Sequence, residues 1–120
     1  MHELALADSI VRIASAHARG RRVRSVAVAA GALRQVVPSA LALAFALLAE
    51  GTPLAGAELR VRSVPAVVRC RACGVASEQH GFPLACRACG ALDVEVTAGE
   101  ELLVEELEVD AEAEVMSHVG

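Results

Sequence analysis

The chain has no tryptophan, no tyrosine and no lysine, and only two phenylalanines, Phe45 and Phe82, in 120 residues. Without aromatic side chains there is no platform on which unpaired bases could stack, which argues against a nucleic-acid partner. A long hydrophobic run is also missing. The most apolar stretch, Ala40 to Ala49, is about half of the roughly 20 residues a bilayer-spanning helix needs. Asp8 and Arg12 interrupt the N-terminal apolar stretch and no basic segment precedes it, so it does not read as a signal peptide. A cytoplasmic protein with no membrane partner is expected. Glycine-rich phosphate loops and serine–histidine–acid or cysteine–histidine arrangements are lacking too, so the chain is not expected to be an enzyme.

What remains is aliphatic. Val, Leu and Ala supply the 55% of residues that are hydrophobic, enough for one small domain with a metal-stapled module. Charge is uneven. Residues 1–69 hold nine arginines against four acids, a net of +5; residues 70–120 hold two arginines against eleven acids, a net of −9, giving −4 for the chain. An acidic second half is a poor match for a phosphate backbone.

That second half contains all four cysteines. Cys70-Arg71-Ala72-Cys73 and Cys86-Arg87-Ala88-Cys89 are identical tetrapeptides, each followed by a glycine, Gly74 or Gly90. A C-x-x-C turn presents both thiols on one side, so two such turns can close a tetrahedron around one ion. Zinc, with a filled d shell, suits four thiolates. Each glycine allows a positive φ that aims backbone amides at the sulfurs. Two disulfides or a redox dithiol compete as readings. The first expects a secreted chain, and the second a single C-x-x-C near a βαβ pattern. A structural Zn(II) on Cys70, Cys73, Cys86 and Cys89 is therefore expected. His80 lies well inside the spacer and is left out of it.

In chain order, Leu4 to Arg19 repeats apolar residues at helical spacing (Leu6, Ile10, Ile13, Ala14, Ala18), with His17 at the surface or half-buried. Val23 to Ala30 reads as a strand, and Pro38 to Glu50 as a helix apolar nearly all round, which should be covered on more than one side. Ala57 to Arg62 alternates as a half-buried strand. Leu92 to Thr97 is expected to pair with Val67 to Arg69. Glu101 to Val109 resumes strand character, with Leu103, Leu107 and Val109 as one face. The fold class is α/β (α+β): a small three-stranded sheet covered by two helices, with an inserted zinc-ribbon-like module. The boundaries expected are 1–65 plus 99–110 for the α/β domain, 66–98 for the zinc domain and 111–120 for a flexible acidic tail.

Met1-His2-Glu3 is read as preceding any element. The His2 imidazole, its amide nitrogen and the Met1 amine can close fused chelate rings on one metal, a donor set that favours Ni(II) or Cu(II). Together with V-x-x-G-A-L-x-x-V-V-P ending at Pro38, E-G-T-P-L-x-G-A-E-L over Glu50–Leu59 and the paired C-x-x-C, this start strongly resembles the HypA/HybF nickel metallochaperones across residues 1–110. The resemblance implies Ni(II) on His2, with Met1 and Glu3 close by, and Zn(II) on the cysteines. It also implies delivery to nickel–iron hydrogenase large-subunit precursors with a HypB-type GTPase, and in some organisms service to urease and its accessory proteins. The alternative reading is a zinc-ribbon protein-interaction or nucleic-acid adaptor with no nickel role. Such a module should show a basic face, and this one offers only Arg69, Arg71 and Arg87.

Overall fold

Leu6, Ile10, Ala14 and Ala18 recur at the spacing of a single helix face. In the computed structural model, which describes residues 2–110, they form the buried stripe of α1 (His2–Ala18). The helix starts before the expected Leu4 and takes in His2 and Glu3. Met1 and the expected tail at 111–120 lie outside the described residues. Ile13, expected on the stripe, is exposed; the stripe runs through Ala7 and Val11 beside Ile10 instead, as i, i+3, i+4 spacing also permits. At the far end Arg19 turns left-handed. The Arg21 backbone and guanidinium both donate to Ala18 O, occupying one of the final carbonyls.

β1 (Val23–Gly31) leads through one 3-10 turn (Ala32–Arg34) into α2 (Pro38–Ala49). Pro38 sits in the first turn, where its missing N–H has no helical partner to lose. α1 and α2 pack on each other. The expectation that α2 is covered on more than one side fails. Leu41, Ala44, Phe45 and Ala49 are buried, but Leu43 and Leu47 are 63% and 59% exposed. Alanine raises the helix's hydrophobicity without requiring cover, so one stripe suffices.

β1 is the centre of a three-stranded sheet in the order β2-β1-β6, with β2 (Glu58–Val64) and β6 (Leu102–Val109) at its edges. The Asp110 N–H donates to Arg22 O at 2.8 Å and the Gly31 N–H to Glu101 O at 2.7 Å, so β6 runs antiparallel to β1. Two helices and two small sheets make up the described residues, the α+β class expected from the sequence. One face of the β1 sheet is charged. Buried Ser25 donates to Glu108 at 2.8 Å and accepts from Arg60 at 2.9 Å, while Arg62 reaches Glu105 at 2.7 Å. Val61, expected inward on edge strand β2, is exposed. Leu103 is exposed as well. The half-buried positions of β6 step from Leu102 and Val104 to Leu107 and Val109, a change of phase that one regular face cannot make.

The described residues group into two units. One gathers those up to Val28, Val36–Arg62 and those from Leu103; the other gathers Ala29–Gln35 and Ser63–Leu102. The first holds the aliphatic core of both helices with Val23, Val26, Val28 and Leu54. The second is organised on β3 (Ala66–Cys70), centre of the sheet β4-β3-β5, with β4 (Ala76–Gln79) and β5 (Val94–Ala98) antiparallel on either side. The expected pairing of 92–97 with 67–69 appears as Val68 opposite Val96 and Arg69 opposite Glu95. Strand β4 is not foreshadowed, its sequence Ala-Ser-Glu-Gln having no apolar alternation. Within this unit the backbones of Gly31 and Gly99 touch: a Cβ on Gly31 would overlap the Gly99 backbone, and one on Gly99 would lie 2.6 Å from Ala66 Cα.

Candidate metal centres

Cys70 is the last residue of β3, where the chain leaves the sheet and doubles back. The Gly74 N–H returns to Cys70 O at 2.9 Å and the Cys70 N–H reaches Val75 O at 3.0 Å; the second tetrapeptide repeats this with Gly90, Cys86 and Ala91 at 2.9 Å for both bonds. Gly74 and Gly90 have φ of +79° and +80°, as expected. The amides of Ala72 and Cys73 then point at Cys70 Sγ, both at 3.3 Å, and those of Ala88 and Cys89 at Cys86 Sγ, at 3.3 and 3.4 Å. Identical sequence has produced two equivalent knuckles.

Facing one another, the knuckles bring all four Sγ atoms within 4.8 Å of each other. Cys70 and Cys89 lie 3.7 Å apart and Cys73 and Cys86 3.6 Å. A disulfide would place sulfurs at about 2.0 Å, whereas a tetrahedron with Zn–S bonds of about 2.3 Å has edges of roughly 3.8 Å. The donor set and its spacing fit a tetrahedral thiolate-bound ion. Cys70 and Cys86 are buried, Cys73 and Cys89 exposed. His80 is exposed and lies 3.8 Å from Glu78; it is not part of the cluster.

The thiols are electrostatically unequal. Cys86 is pulled down to about 6 by the amides of Cys89 and Ala88, aided by nearby thiols and opposed by burial. Cys70 is lowered for the same reason, chiefly by the Cys73 amide. On Cys73 the Val75 amide also pulls down, but Cys86, burial and the remaining thiols together push it up to about 11. Cys89 is likewise raised, the opposing Ala91 amide being outweighed by Cys70, Cys86 and burial. The two buried sulfurs thus favour the thiolate more than a free cysteine does, and the two exposed ones favour it less. A dication offsets the repulsion among four thiolates.

The knuckles differ in what holds them. The first continues a paired strand: Cys70 lies opposite Val94, the Arg71 N–H donates to Asp93 O at 3.0 Å, and the Arg71 guanidinium bonds Asp93 and Val94 O, both at 3.1 Å. The second belongs to no strand. Side chains of β4 hold it: Gln79 Nε2 donates to Ala85 O at 2.8 Å, the Ala85 N–H to Gln79 Oε1 at 3.1 Å, and the Arg87 N–H to Ser77 Oγ at 3.4 Å.

At the other predicted site, the His2 side chain is 51% exposed in the first turn of α1, its Nε2 3.5 Å from Glu3 Oε2. First-turn backbone N–H groups have no intrahelical acceptor, so a donor set there does not compete with the helix. Glu3 is buried, and its pKa is lowered mainly by the hydrogen bond from Val37. The carboxylate thus ties the start of α1 to the start of α2, whose capping residue Val37 offers no side-chain cap. This anchoring role was not readable from the sequence, because the two residues are 34 apart. His17 is exposed on α1.

The family model described as "Hydrogenase/urease nickel incorporation, metallochaperone, hypA" matches residues 1–109. Among curated relatives, a hydrogenase maturation factor HypA from Geotalea uraniireducens is 41% identical over 110 residues, covering 92% of this chain and 100% of that protein. One from a Nostoc species is 37% identical over 112 residues, covering 92% and 96%. The solution structure of the Ni metallochaperone HypA from Helicobacter pylori shares the fold with a TM-score of 0.66 at 20% identity, covering 89% of this chain and 96% of that one. Among the described residues no helix is long and apolar enough to cross a membrane.

Proposed function

The chain belongs to the HypA family of hydrogenase maturation factors, and from that premise we propose that it binds Ni(II) at His2, with Glu3 beside it, and delivers it for hydrogenase maturation. The observation that carries this reading is the contrast between the two candidate centres. Four thiols preorganised by backbone amides and held in two knuckles suit a resident Zn(II) that builds the structure. A half-exposed imidazole next to a carboxylate at a helix start suits a cargo ion, because nitrogen and oxygen donors bind Ni(II) well and an open site lets it leave. The partners that follow are a HypB-type GTPase and a hydrogenase large-subunit precursor, with urease accessory proteins as further recipients, in the cytoplasm.

The arginines of the cysteine module point away from an adaptor role. Arg69 donates to Gly74 O, Arg71 pairs with Asp93 and Arg87 donates to Glu78 O, so the module's cations are engaged with its own chain. The test is metal content and calorimetric titration of the full chain. Wild type is expected to retain one zinc and take up nickel; His2→Gln should lose nickel uptake with zinc unchanged, and Cys73→Ala should lose zinc. A His2→Gln protein that takes up nickel as wild type does would overturn the N-terminal site, and a Cys73→Ala protein with full zinc would overturn the thiol site.

A further inference from the structure

We propose that Gln79 is the positioning residue of the four-thiol centre, substituting for the strand pairing that the second knuckle lacks. The proposal rests on reading the four thiols as a metal site. The two knuckles have the same sequence and internal bonds, so any difference in how firmly each holds its sulfurs comes from outside the turn. Cys70 inherits its position from β3, paired on both sides. Cys86 inherits its position from Ala85, and both polar backbone atoms of Ala85 are taken by one side chain.

A primary amide presents an N–H donor and a C=O acceptor side by side on one edge, as a strand residue presents its own N–H and C=O, and keeps a second N–H free for another partner. Gln79 uses both on Ala85, as a neighbouring strand would, and Nε2 also lies 3.3 Å from Ser77 Oγ. The residue is 9% exposed, in the last position of β4 and opposite Ala66. Buried polar groups left without partners are costly, which makes this clamp cooperative: losing either partner strands the other. Ser77, two residues earlier, takes the Arg87 N–H, and Arg87 donates to Glu78 O at 3.5 Å. β4 therefore holds the segment on both sides of Cys86, and the metal-binding geometry of Cys86 and Cys89 depends on it.

Three variants separate this role from bulk packing. Gln79→Ala removes both partners. Gln79→Glu is nearly isosteric but sets a carboxylate oxygen against Ala85 O. Thr97→Val, as control, removes an exposed hydrogen bond on β5, from Thr97 to Val67 O. Zinc transfer from the full chain to 4-(2-pyridylazo)resorcinol should be about tenfold faster in both Gln79 variants and unchanged in the control. Hydrogen exchange should rise at the amides of Cys86, Arg87 and Gly90 and stay as in wild type at Cys70 and Gly74. The ligand-field bands of Co(II)-substituted Gln79→Glu should shift relative to wild type, a signature that general destabilisation would not give. Zinc transfer from both Gln79 variants within twofold of wild type, or equal loosening of both knuckles, overturns the proposal. A wild-type chain that neither yields zinc nor takes up cobalt overturns the thiol-site reading itself, whatever the variants do.

Discussion

Glu105 and Arg62 meet at 2.7 Å on the charged face of the β1 sheet, and Arg62 lowers the Glu105 pKa by a side-chain hydrogen bond and by its charge. A carboxylate whose folded pKa lies below its unfolded value binds fewer protons when folded. Its contribution is complete above the unfolded pKa and disappears as pH falls through the folded one. Arg62→Gln should therefore lower the urea midpoint slightly at pH 7, since exposed pairs contribute little. The gap to wild type should close as pH falls below the ordinary carboxylate range. A gap that stays constant into acid would mean that Arg62 acts through packing. Neither partner's role could be read from the sequence: alternation marked Arg62 as outward-facing, but its partner comes from a strand beyond the inserted module. The same limit hid the Glu3–Val37 bond and the Gln79 clamp. Local pattern identifies which side chains are polar; only the fold says what they touch.

Helices α1 and α2 show where pattern reading succeeds and where composition misleads. Both were legible with nearly their observed ends, because Pro38, Gly20 and Gly51 punctuate them and their apolar residues recur at 3.6-residue spacing. The cysteine pairs and the β3–β5 pairing were legible too. The apolar residues of α2, by contrast, are of two kinds that sequence alone does not separate. Phe45 and Leu41 are buried, while Leu43 and Leu47 are not. β4 carries no strand signal because a polar edge strand needs no alternation, and β6 shows no single apolar face because its phase changes midway. Ile10, fully buried on α1, gives the test of which stripe carries stability. Ile10→Ala should cost about 2–5 kcal/mol, whereas Leu43→Ser on the exposed side should cost no more than about 0.5 kcal/mol. Urea unfolding followed by helical circular dichroism measures both, and comparable losses would mean that the exposed side of α2 is covered after all.

The two units differ in what could hold each together. Among the described residues, the first buries Leu6, Ile10, Val11, Val23, Val26, Val28, Leu41, Phe45 and Leu54, a set of large apolar side chains that is aliphatic but for Phe45. In the second, the only buried hydrophobic residues larger than alanine are Val68, Cys70 and Cys86. A unit with so little apolar area cannot offset the chain entropy of folding by burial alone, and small folds in that position depend on a staple. Zn(II) held by the four thiols, as proposed above, would supply one; binding to thiolate-rich sites contributes on the order of 10–16 kcal/mol at neutral pH. Both helices lie in the first unit, so their circular dichroism reports on it, whereas amide exchange across β3, β4 and β5 reports on the second. Stripping zinc with a chelator at neutral pH under reducing conditions should abolish protection at Val68, Cys70 and Gly74 while leaving the helical signal nearly unchanged. Restoring zinc should return the protection, since no covalent bond has been lost. If protection in β3 survives complete zinc removal, the second unit has a source of stability other than the metal. If the helices melt with it, the two units fold as one.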